Sequence, residues 1–477
     1  MMLTGDNGIL QRAGEAKVIM DERQEAEKIQ LSYMAEKTNQ LGKVIQANGL
    51  QEELGKYGAA EVFDNGDGTF YVIYKDSGNC YLVDKNGNVT KRDKTEVISG
   101  VFAIIYSDGT MAFNTTGNTI EGKTVLYKTG DISQTKFETY DDIPWKEHLT
   151  KIKTVTFEEE VKPMYTRRWF DRCTNLTQIT GIQKLNTKNV KDMRAMFQGS
   201  KFTTLDLSNF DTKNVKDMCA MFQQCKNLTS LNVSNFDTSN VTNMGNMFYY
   251  CNNLTSLNVI NFDTSNVTDM SAMFNMCLNL QSVNVSYFDT KNVTNMSAMF
   301  QHCYELTILD VSNFDTSNVT DMSTMFGCGY NAYRSKLQEI KGLENFDTSK
   351  VTTMWAMFVH QISLKELNLS SFDTRNVTNM DSMFEATNIE KIYVSNKWNT
   401  SKVIESTDMF GRTTFVIDGT TYTYAGVNEP LKLTGGNGTK WDPEHIDKEY
   451  ARIDTAVYEN GEHVSGDKGY FSVLPEE

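Results

Sequence analysis

Apolar residues recur along this chain at a fixed spacing. The pair Met-Phe occurs at residues 196–197, 221–222, 247–248, 273–274, 299–300, 325–326, 357–358, 383–384 and 409–410, and most steps are 26 residues. A period in this range is typical of repeat proteins in which each unit stacks on its neighbours and only the stack buries a core. The pattern therefore predicts a solenoid, and its long surface favours binding over catalysis.

The repeat from residue 254 to residue 279 shows how one unit is built. Apolar residues at offsets 0, 3, 5 and 8 predict a short strand with its ends turned inwards: Leu254, Leu257, Val259 and Phe262. Apolar residues at offsets 0, 3, 6 and 7 predict one face of a short helix: Val267, Met270, Met273 and Phe274. Residues 263–266 form a predicted turn between them. We expect the Met and Phe residues to be core and not a cofactor site.

The segments before the repeats follow other patterns. Residues 8–54 carry charges of both signs around a thin apolar stripe, which predicts one long, mostly solvated helix. Phe70–Tyr74 and Cys80–Val83 are rich in strand-forming residues and are followed by turn-forming ones, so residues 61–91 predict a small antiparallel sheet. Residues 97–164 also contain strand-like runs. We expect them to cap the first repeat, because an open end would expose apolar residues and an unpaired strand edge.

Charge narrows the range of partners. The 477 residues include 46 basic and 61 acidic side chains, a net charge of −15, and the pI is near 5.0. Nucleic acids and anionic membrane surfaces attract basic proteins, so we expect neither as a partner. The sequence contains no run of 18 apolar residues.

Residue patterns typical of catalysis are not found. The five histidines are scattered, and there is no Gly-x-Ser-x-Gly, phosphate loop or Cys-x-x-Cys. We therefore expect no enzyme activity and no cofactor. Four cysteines fall 26 residues apart, one in each repeat: Cys225, Cys251, Cys277 and Cys303. They predict small buried thiols in a tight corner, with a metal or redox site as the alternative.

Candidate binding residues are those that depart from the repeat. Outward strand positions are mostly Asn and Asp, which either bond neighbouring groups or present a polar binding face. Apolar, aromatic or basic groups replace Ser or Asn at Ile260, Tyr287, Ile308, Lys341 and Tyr393. Tyrosine is enriched at binding hot spots, so these five residues are candidate contacts.

One repeat is longer than the others. Met325 to Met357 spans 32 residues, an insertion of six. Insertions in solenoids form loops on one face, often the binding face. This loop adds four candidate contacts: Tyr330, Tyr333, Arg334 and Lys336. Sequence drift in a tolerant loop is the alternative.

The repeat resembles a known family. Residues 261–274 and 313–326 share the motif Asn-Phe-Asp-Thr-Ser-Asn-Val-Thr-Asp-Met-Ser-x-Met-Phe. It is similar to the repeat of the BspA-like leucine-rich-repeat surface proteins of bacteria, whose flanks also resemble Trp169-Phe170 and Gly469-Tyr470-Phe471. This resemblance implies a right-handed β/α solenoid on the bacterial surface, with members that adhere to host proteins or other cells. It does not supply a ligand.

A second resemblance concerns the N-terminus. The stretch from Leu3 to Leu10, the charged helix and the small sheet that follows resemble bacterial type IV pilin-like proteins. In that family a membrane-spanning stretch directly precedes this segment, so the resemblance implies an envelope protein whose anchor lies upstream. A plain amphipathic helix is the alternative.

Together these patterns predict an α/β chain: a leucine-rich-repeat β/α solenoid with a parallel sheet, preceded by an N-terminal helix and a small antiparallel β-sheet. The expected divisions are residues 1–92 (pilin-like), 97–168 (β-rich N-terminal cap), 169–412 (repeats) and 413–477 (C-terminal cap). We expect an adhesin-like protein at the cell surface or outside the cell, which binds protein or glycan of host or neighbouring cells. The alternatives are a structural or tip subunit of a pilus-like assembly and an enzyme acting on cell-wall glycans.

Overall fold

The computed structural model describes residues 5–39, 47–57, 60–64, 69–74, 76–92, 100–329, 335–411, 413–417, 420–424, 447–459 and 462–473. They contain two α-helices, α1 (Gly5–Asn39) and α2 (Ala47–Gly55). The strands, in chain order, are β1 (Ala60–Asp64), β2 (Phe70–Tyr74), β3 (Cys80–Val83), β4 (Val89–Arg92), β5 (Phe102–Tyr106), β6 (Thr110–Asn114), β7 (Val125–Lys128), β8 (Thr154–Phe157), β9 (Gln178–Thr180), β10 (Thr204–Leu205), β11 (Ser230–Leu231), β12 (Ser256–Leu257), β13 (Ser282–Val283), β14 (Ile308–Asp310), β15 (Glu339–Lys341), β16 (Glu366–Asn368), β17 (Lys391–Tyr393), β18 (Thr413–Ile417), β19 (Thr420–Tyr424), β20 (Val457–Glu459) and β21 (Glu462–Ser465).

The N-terminal helices and strands share a core of their own. β1 to β4 pair in sequence order as an antiparallel sheet, which confirms the strands predicted at β2 and β3. Ile29 and Tyr33 of α1 pack with Leu50 and Leu54 of α2. The prediction of one helix over residues 8–54 is wrong, because a straight helix would separate Ile29 from Leu50 by about 30 Å. Within the described residues, neither helix combines the length and the apolar character that crossing a bilayer requires.

A five-stranded sheet precedes the repeats, in the order β7-β5-β6-β8-β9. β5 pairs antiparallel with β6 and β7, whereas β6, β8 and β9 run parallel. The strand-like runs predicted between residues 97 and 164 are therefore strands. Phe113 of β6 stacks on Trp169 with ring centroids 4.8 Å apart, and both side chains are fully buried. The sheet is thus packed onto the start of the repeats.

One core cluster runs through the repeat region, which we define as residues 169–411. Successive phenylalanine rings stack with centroids 5.5 to 6.2 Å apart: Phe170, Phe197, Phe222, Phe248, Phe274, Phe300, Phe326, Phe358, Phe384 and Phe410. Met270 and Met273 are fully buried beside this stack. The prediction that the Met and Phe residues form core is confirmed.

Strands of neighbouring repeats pair in parallel and in register with the period. In β12 and β13, Ser256 lies opposite Ser282 and Leu257 lies opposite Val283. The pairs β10-β11, β14-β15 and β16-β17 follow the same rule. These are separate two-stranded sheets, so the continuous parallel sheet that we predicted is not seen. Each strand stops after two or three residues because a turn begins there.

The segment that we predicted as a helix is a series of turns. The N–H groups of Met270, Ala272 and Phe274 donate to carbonyls of the next repeat at 2.8 to 3.1 Å, whereas those of Met273 and Asn275 donate three residues back. Ala272 has a φ of 52°. A helix would direct every N–H along its own segment, so the helix prediction is wrong. We call residues 269–277 and their equivalents in the other repeats the turn ladder.

The C-terminal residues cover the far end of the core. Phe471 packs on Trp398 with ring centroids 4.9 Å apart, and Tyr470 packs on Phe410 at 5.1 Å. Ser472 forms a parallel bridge with Tyr393, the last residue of β17. β18-β19 and β20-β21 are antiparallel pairs.

Candidate functional site

The strand side of the repeats consists of the exposed residues of each strand and of the turn after it, residues 255–261 and their equivalents. The Asn and Asp side chains at the end of each strand support their own turns. Asn258 Oδ1 accepts a hydrogen bond from the N–H of Ile260 at 3.2 Å, and Asn284 Oδ1 accepts one from Ser286 at 3.1 Å. The same bond recurs at Asp206, Asn232, Asp310 and Asn368. These side chains are occupied within the fold, which favours the structural explanation for the Asn and Asp ladder.

Ile260 and Tyr287 lie in successive turns on the strand side, and we call them the turn patch. Ile260 is 39% exposed and Tyr287 is 64% exposed. Each is a central residue of a turn that a 3.0 Å backbone hydrogen bond closes. An isoleucine and a tyrosine therefore project outwards from adjacent repeats.

Tyr287 occupies a position where neighbouring repeats make a bond between repeats. Asn261 Nδ2 donates to the carbonyl of Ser234 at 2.9 Å, and Asn313 Nδ2 donates to the carbonyl of Ser286 at 2.7 Å. Tyr287 has no amide and carries an exposed ring instead. The fold loses a hydrogen bond at this position without burying a side chain in return.

Ile308 and Lys341 lie on the paired strands β14 and β15, and we call them the strand patch. Ile308 is 51% exposed, and Lys341 is exposed opposite Asp310. Lys341 stands where other repeats have the turn-supporting Asn or Asp. Gly342 forms this turn instead with a φ of 93°, and a Cβ there would lie 2.3 Å from Cα of Ser312. Because Gly342 forms the turn, the side chain of Lys341 is not needed to support it.

The other predicted contacts are placed differently. Tyr393 is half-buried and its backbone is bridged by Ser472, so it belongs to the covered end of the repeats. Lys336 is exposed and forms an ion pair with Glu305 at 2.6 Å. Tyr330, Tyr333 and Arg334 lie outside the described residues. The structure thus groups the candidates into the turn patch, in the turns after β12 and β13, and the strand patch, on β14 and β15 of the next two repeats.

A cavity of about 310 Å³ opens beside the long repeat, on the turn ladder. Its lining includes Gln301, His302, Trp355, His360, Ser382 and Glu385. Burial lowers the pKa of His302 to about 4, and His360 contributes to this shift. Burial also lowers the pKa of His360, whose Nδ1 lies 3.1 Å from the carbonyl oxygen of Cys328. Both imidazoles are therefore neutral at pH 7, and they line the cavity together with the indole ring of Trp355 and the carboxyl group of Glu385.

Trp355 is a surface residue that sequence reasoning missed. Its side chain is 46% exposed. It stands where other repeats have Ser271, Ser297 and Ser323, so the same criterion of departure from the repeat would have found it.

The cysteines are buried thiols, as predicted. All eight are buried. Cys251 Sγ donates to the carbonyl of Phe222 and Cys277 Sγ to that of Phe248, both at 3.2 Å. Burial raises the pKa of Cys277 to about 12, so this thiol is not ionised at neutral pH. In the part of the chain that the structure describes, no group of three His, Cys, Asp or Glu side chains is arranged to hold a metal ion.

Comparison with known families concerns the same repeats. Residues 164–258, 253–340 and 328–429 match the family described as "Mycoplasma protein of unknown function, DUF285". The overlapping matches extend over more than half of the chain. The chain belongs to this family. In this DUF285 protein, the matched residues include both patches and the cavity, and they coincide with the repeat that resembles BspA-like proteins. The match begins at residue 164 and so does not extend to the pilin-like segment.

Among solved structures, the DUF285 protein is similar to a leucine-rich repeat protein from Eubacterium ventriosum. The two sequences are 17% identical over 61% of this chain and 94% of that chain, with a TM-score of 0.26. No curated protein matches the chain.

Proposed function

We propose that this DUF285 protein is a bacterial cell-surface interaction protein. In this proposal it is adhesin-like and binds a protein or a glycan of host or neighbouring cells through the strand side of its repeats. Catalysis has no part in it.

The observation that carries the proposal is the environment of Tyr287. Equivalent positions hold an asparagine that bonds the preceding repeat, and the tyrosine forgoes that bond while it remains 64% exposed. Residues that break a local rule without a compensating gain in the fold are expected at functional sites. Tyrosine and isoleucine in adjacent turns offer a rigid aromatic ring and an aliphatic side chain, which suit a protein surface or the apolar face of a sugar.

The strand patch adds a cation to the same side. Lys341 is exposed on a chain of net charge −15, and Ile308 lies on the paired strand. A positive side chain on an otherwise acidic protein contributes more to the orientation of a bound partner than to the affinity of binding. We therefore assign the strand patch a secondary role beside the turn patch.

The proposed binding surface depends on one solenoid that winds through all the repeats. Two observations support this winding. The phenylalanine rings stack without a break from Phe170 to Phe410, and single-residue parallel bridges link equivalent positions from Tyr165 to Glu405. A surface built this way repeats at about 4.8 Å, the spacing of neighbouring strands.

We further propose that residues 1–92 form a pilin-like module that holds the repeats at the cell envelope. In support, the second half of the 35-residue α1 packs on an antiparallel sheet. Tyr81 OH donates a 2.7 Å hydrogen bond to the carboxylate of Glu25 and so fastens helix to sheet. Digestion of intact cells by an added protease tests this placement: cleavage of the repeats supports it, and full protection of the repeats contradicts it.

A binding array tests the function. The full chain would be applied to host matrix proteins and glycans, together with the triple variant Ile260→Ser, Tyr287→Asn, Ile308→Ser. Each substitution introduces the residue of a neighbouring repeat, so the fold should be preserved. We expect a saturable signal for the natural chain and at least a tenfold weaker signal for the variant.

The matched control is Trp355→Ser, which changes an exposed aromatic residue outside the strand side. The proposal predicts unchanged binding for this control. No saturable signal for the natural chain, or equal signals for the natural chain and the triple variant, would contradict it. A deletion of residues 328–336 is less informative, because it would also remove the buried side chains of Cys328 and Ser335.

A further inference from the structure

The first repeats differ in charge from the remainder of the chain. Residues 164–226 include eleven Lys and Arg side chains and five Asp side chains, a net charge of +6, whereas the whole chain carries −15. Residues 164–226 are therefore a basic segment within a protein whose net charge is negative. Local clusters of charge, more than net charge, decide which charged ligands a surface attracts.

Four lysines of this segment lie on adjacent repeats. Lys188 and Lys191 belong to one repeat, and Lys213 and Lys216 are their equivalents in the next. The N–H of Lys216 donates to the carbonyl of Lys191 at 2.9 Å, and Asn214 Nδ2 donates to the carbonyl of Lys188 at 2.8 Å. Lys188, Lys213 and Lys216 are exposed, and Lys191 is half-buried. We call these four residues the lysine grid.

Later repeats show what the fold itself prefers at the positions of Lys191 and Lys216. The equivalent residues are threonines whose hydroxyls donate to a carbonyl of the preceding repeat at 3.1 to 3.2 Å: Thr242, Thr268, Thr294 and Thr320. A lysine side chain cannot make this short-range bond. The lysines also place like charges on repeats spaced about 4.8 Å apart. The fold therefore gains nothing from lysine here and loses a hydrogen bond at each position.

Carboxylates that adjoin the lysine grid already have other partners. Asp192 lies 3.1 Å from the guanidinium of Arg167, and Asp217 lies 3.5 Å from that of Arg194. Among the described residues, no carboxylate lies within ion-pair distance of any of the four ammonium groups. Hydrogen bonds from Ser239 lower the pKa of Asp237, and the charge of Lys213 is nevertheless close enough to add to this shift. The four ammonium groups of the grid are thus held in no ion pair among the described residues.

We propose that the lysine grid binds a linear anionic polysaccharide through its sulfate or carboxylate groups. Repeated charges along such a chain match repeated ammonium groups along the repeats. A nucleic acid fits less well, because binding of single strands relies on exposed aromatic rings that stack on bases. The phenylalanines of this segment, such as Phe197, Phe202 and Phe210, are buried, and none of its aromatic rings is exposed. The negative remainder of the chain would also repel a broad duplex. The proposal does not depend on the strand side, so either site can fail its test without the other.

The test uses the full chain and heparin as the sulfated probe, with neutral dextran and single-stranded DNA as comparisons. The grid variant is Lys188→Ser, Lys191→Thr, Lys213→Ser, Lys216→Thr, which introduces the residues of later repeats. We expect heparin affinity to fall at least tenfold, and the slope of log affinity against log salt to fall by about one for each lysine removed. The thermal midpoint should be equal or higher, because two threonine hydrogen bonds are restored.

A control variant removes the same charge elsewhere: Lys291→Ser, Lys350→Asn, Lys365→Thr, Lys391→Ser. Three of these lysines form ion pairs, with Asp289, Glu390 and Glu366, and Lys350 bonds Asn318. Heparin binding by this control should equal that of the natural chain. Absence of heparin binding by the natural chain, equal loss in both variants, or tighter binding of single-stranded DNA than of heparin at the same salt would each overturn the proposal.

Discussion

The two sides of each repeat are held together in different ways. On the turn ladder, alternate backbone N–H groups bond the next repeat, and side chains such as Met273 point into the core. On the strand side, pairing covers only two or three residues; Asn258 and its equivalents bond their own turns, and single side chains such as Asn261 bond the preceding repeat. The turn ladder therefore holds the repeats together, while the strand side tolerates substitutions such as Tyr287. This difference separates residues that maintain the fold from residues that are available for a partner.

The largest expected effect concerns the phenylalanine stack. Phe274 is fully buried, with ring centroids 5.8 Å from Phe248 and 5.5 Å from Phe300. Phe274→Ala should lower the free energy of unfolding by about 3–5 kcal/mol, because it removes a buried ring and leaves a cavity. Tyr287→Ala on the strand side should change it by less than about 0.5 kcal/mol. Chemical denaturation measures both variants. Similar losses of unfolding free energy for the two would contradict the difference between the turn ladder and the strand side.

A second prediction compares the same substitution, Thr→Val, at a buried and at an exposed position of one repeat. Thr264 is 1% exposed and its hydroxyl donates to the carbonyl of Asp289 at 2.9 Å. Thr264→Val keeps the shape but leaves that part-buried carbonyl short of a donor, and should cost about 1–3 kcal/mol. The hydroxyl of Thr268 is exposed, so Thr268→Val should cost less than about 1 kcal/mol. Equal costs, measured by denaturant titration, would contradict this ranking by burial.

A third prediction distinguishes the turn ladder from the helix that we expected. Ala272 has a φ of 52°, a conformation that strains alanine by about 1–2 kcal/mol and glycine hardly at all. Ala272→Gly should therefore raise the free energy of unfolding by roughly 0.5–1 kcal/mol. In a helix the same change would lower it by about 1 kcal/mol. Ala26→Gly in α1 is the matched control and should show that loss, as monitored by circular dichroism.

Elements specified by local residues were predicted well from the sequence. β2 and β3 follow strand-forming residues with turn-forming residues after them, and the structure confirms both. The spacing of the Met-Phe pairs was sufficient to predict the core, because only a stack of repeats can bury it. The burial of the cysteines was predicted for the same reason, and the structure confirms it.

Elements specified by contacts between repeats were not predicted. Val267, Met270, Met273 and Phe274 have helical spacing, yet alternate N–H groups bond the next repeat, and Ala272 and Met276 adopt positive φ. No pattern within 26 residues reveals this, since the partner carbonyls lie about 25 positions away. Trp355 was missed as a consequence. Tyr287 was found because its departure from the repeat is visible in the sequence, although the lost hydrogen bond is visible only in the structure.

The most direct test of this account measures stability and binding on the single variant Tyr287→Asn. Asparagine should restore the bond that Asn261 and Asn313 make in neighbouring repeats, and so raise the free energy of unfolding by about 0.5–1.5 kcal/mol. The same change should weaken binding of the strongest array partner at least tenfold, since a central tyrosine is removed. Opposite shifts of stability and affinity are the predicted result. Unchanged affinity, or a loss of stability together with affinity, would show that Tyr287 serves the fold and would contradict the account.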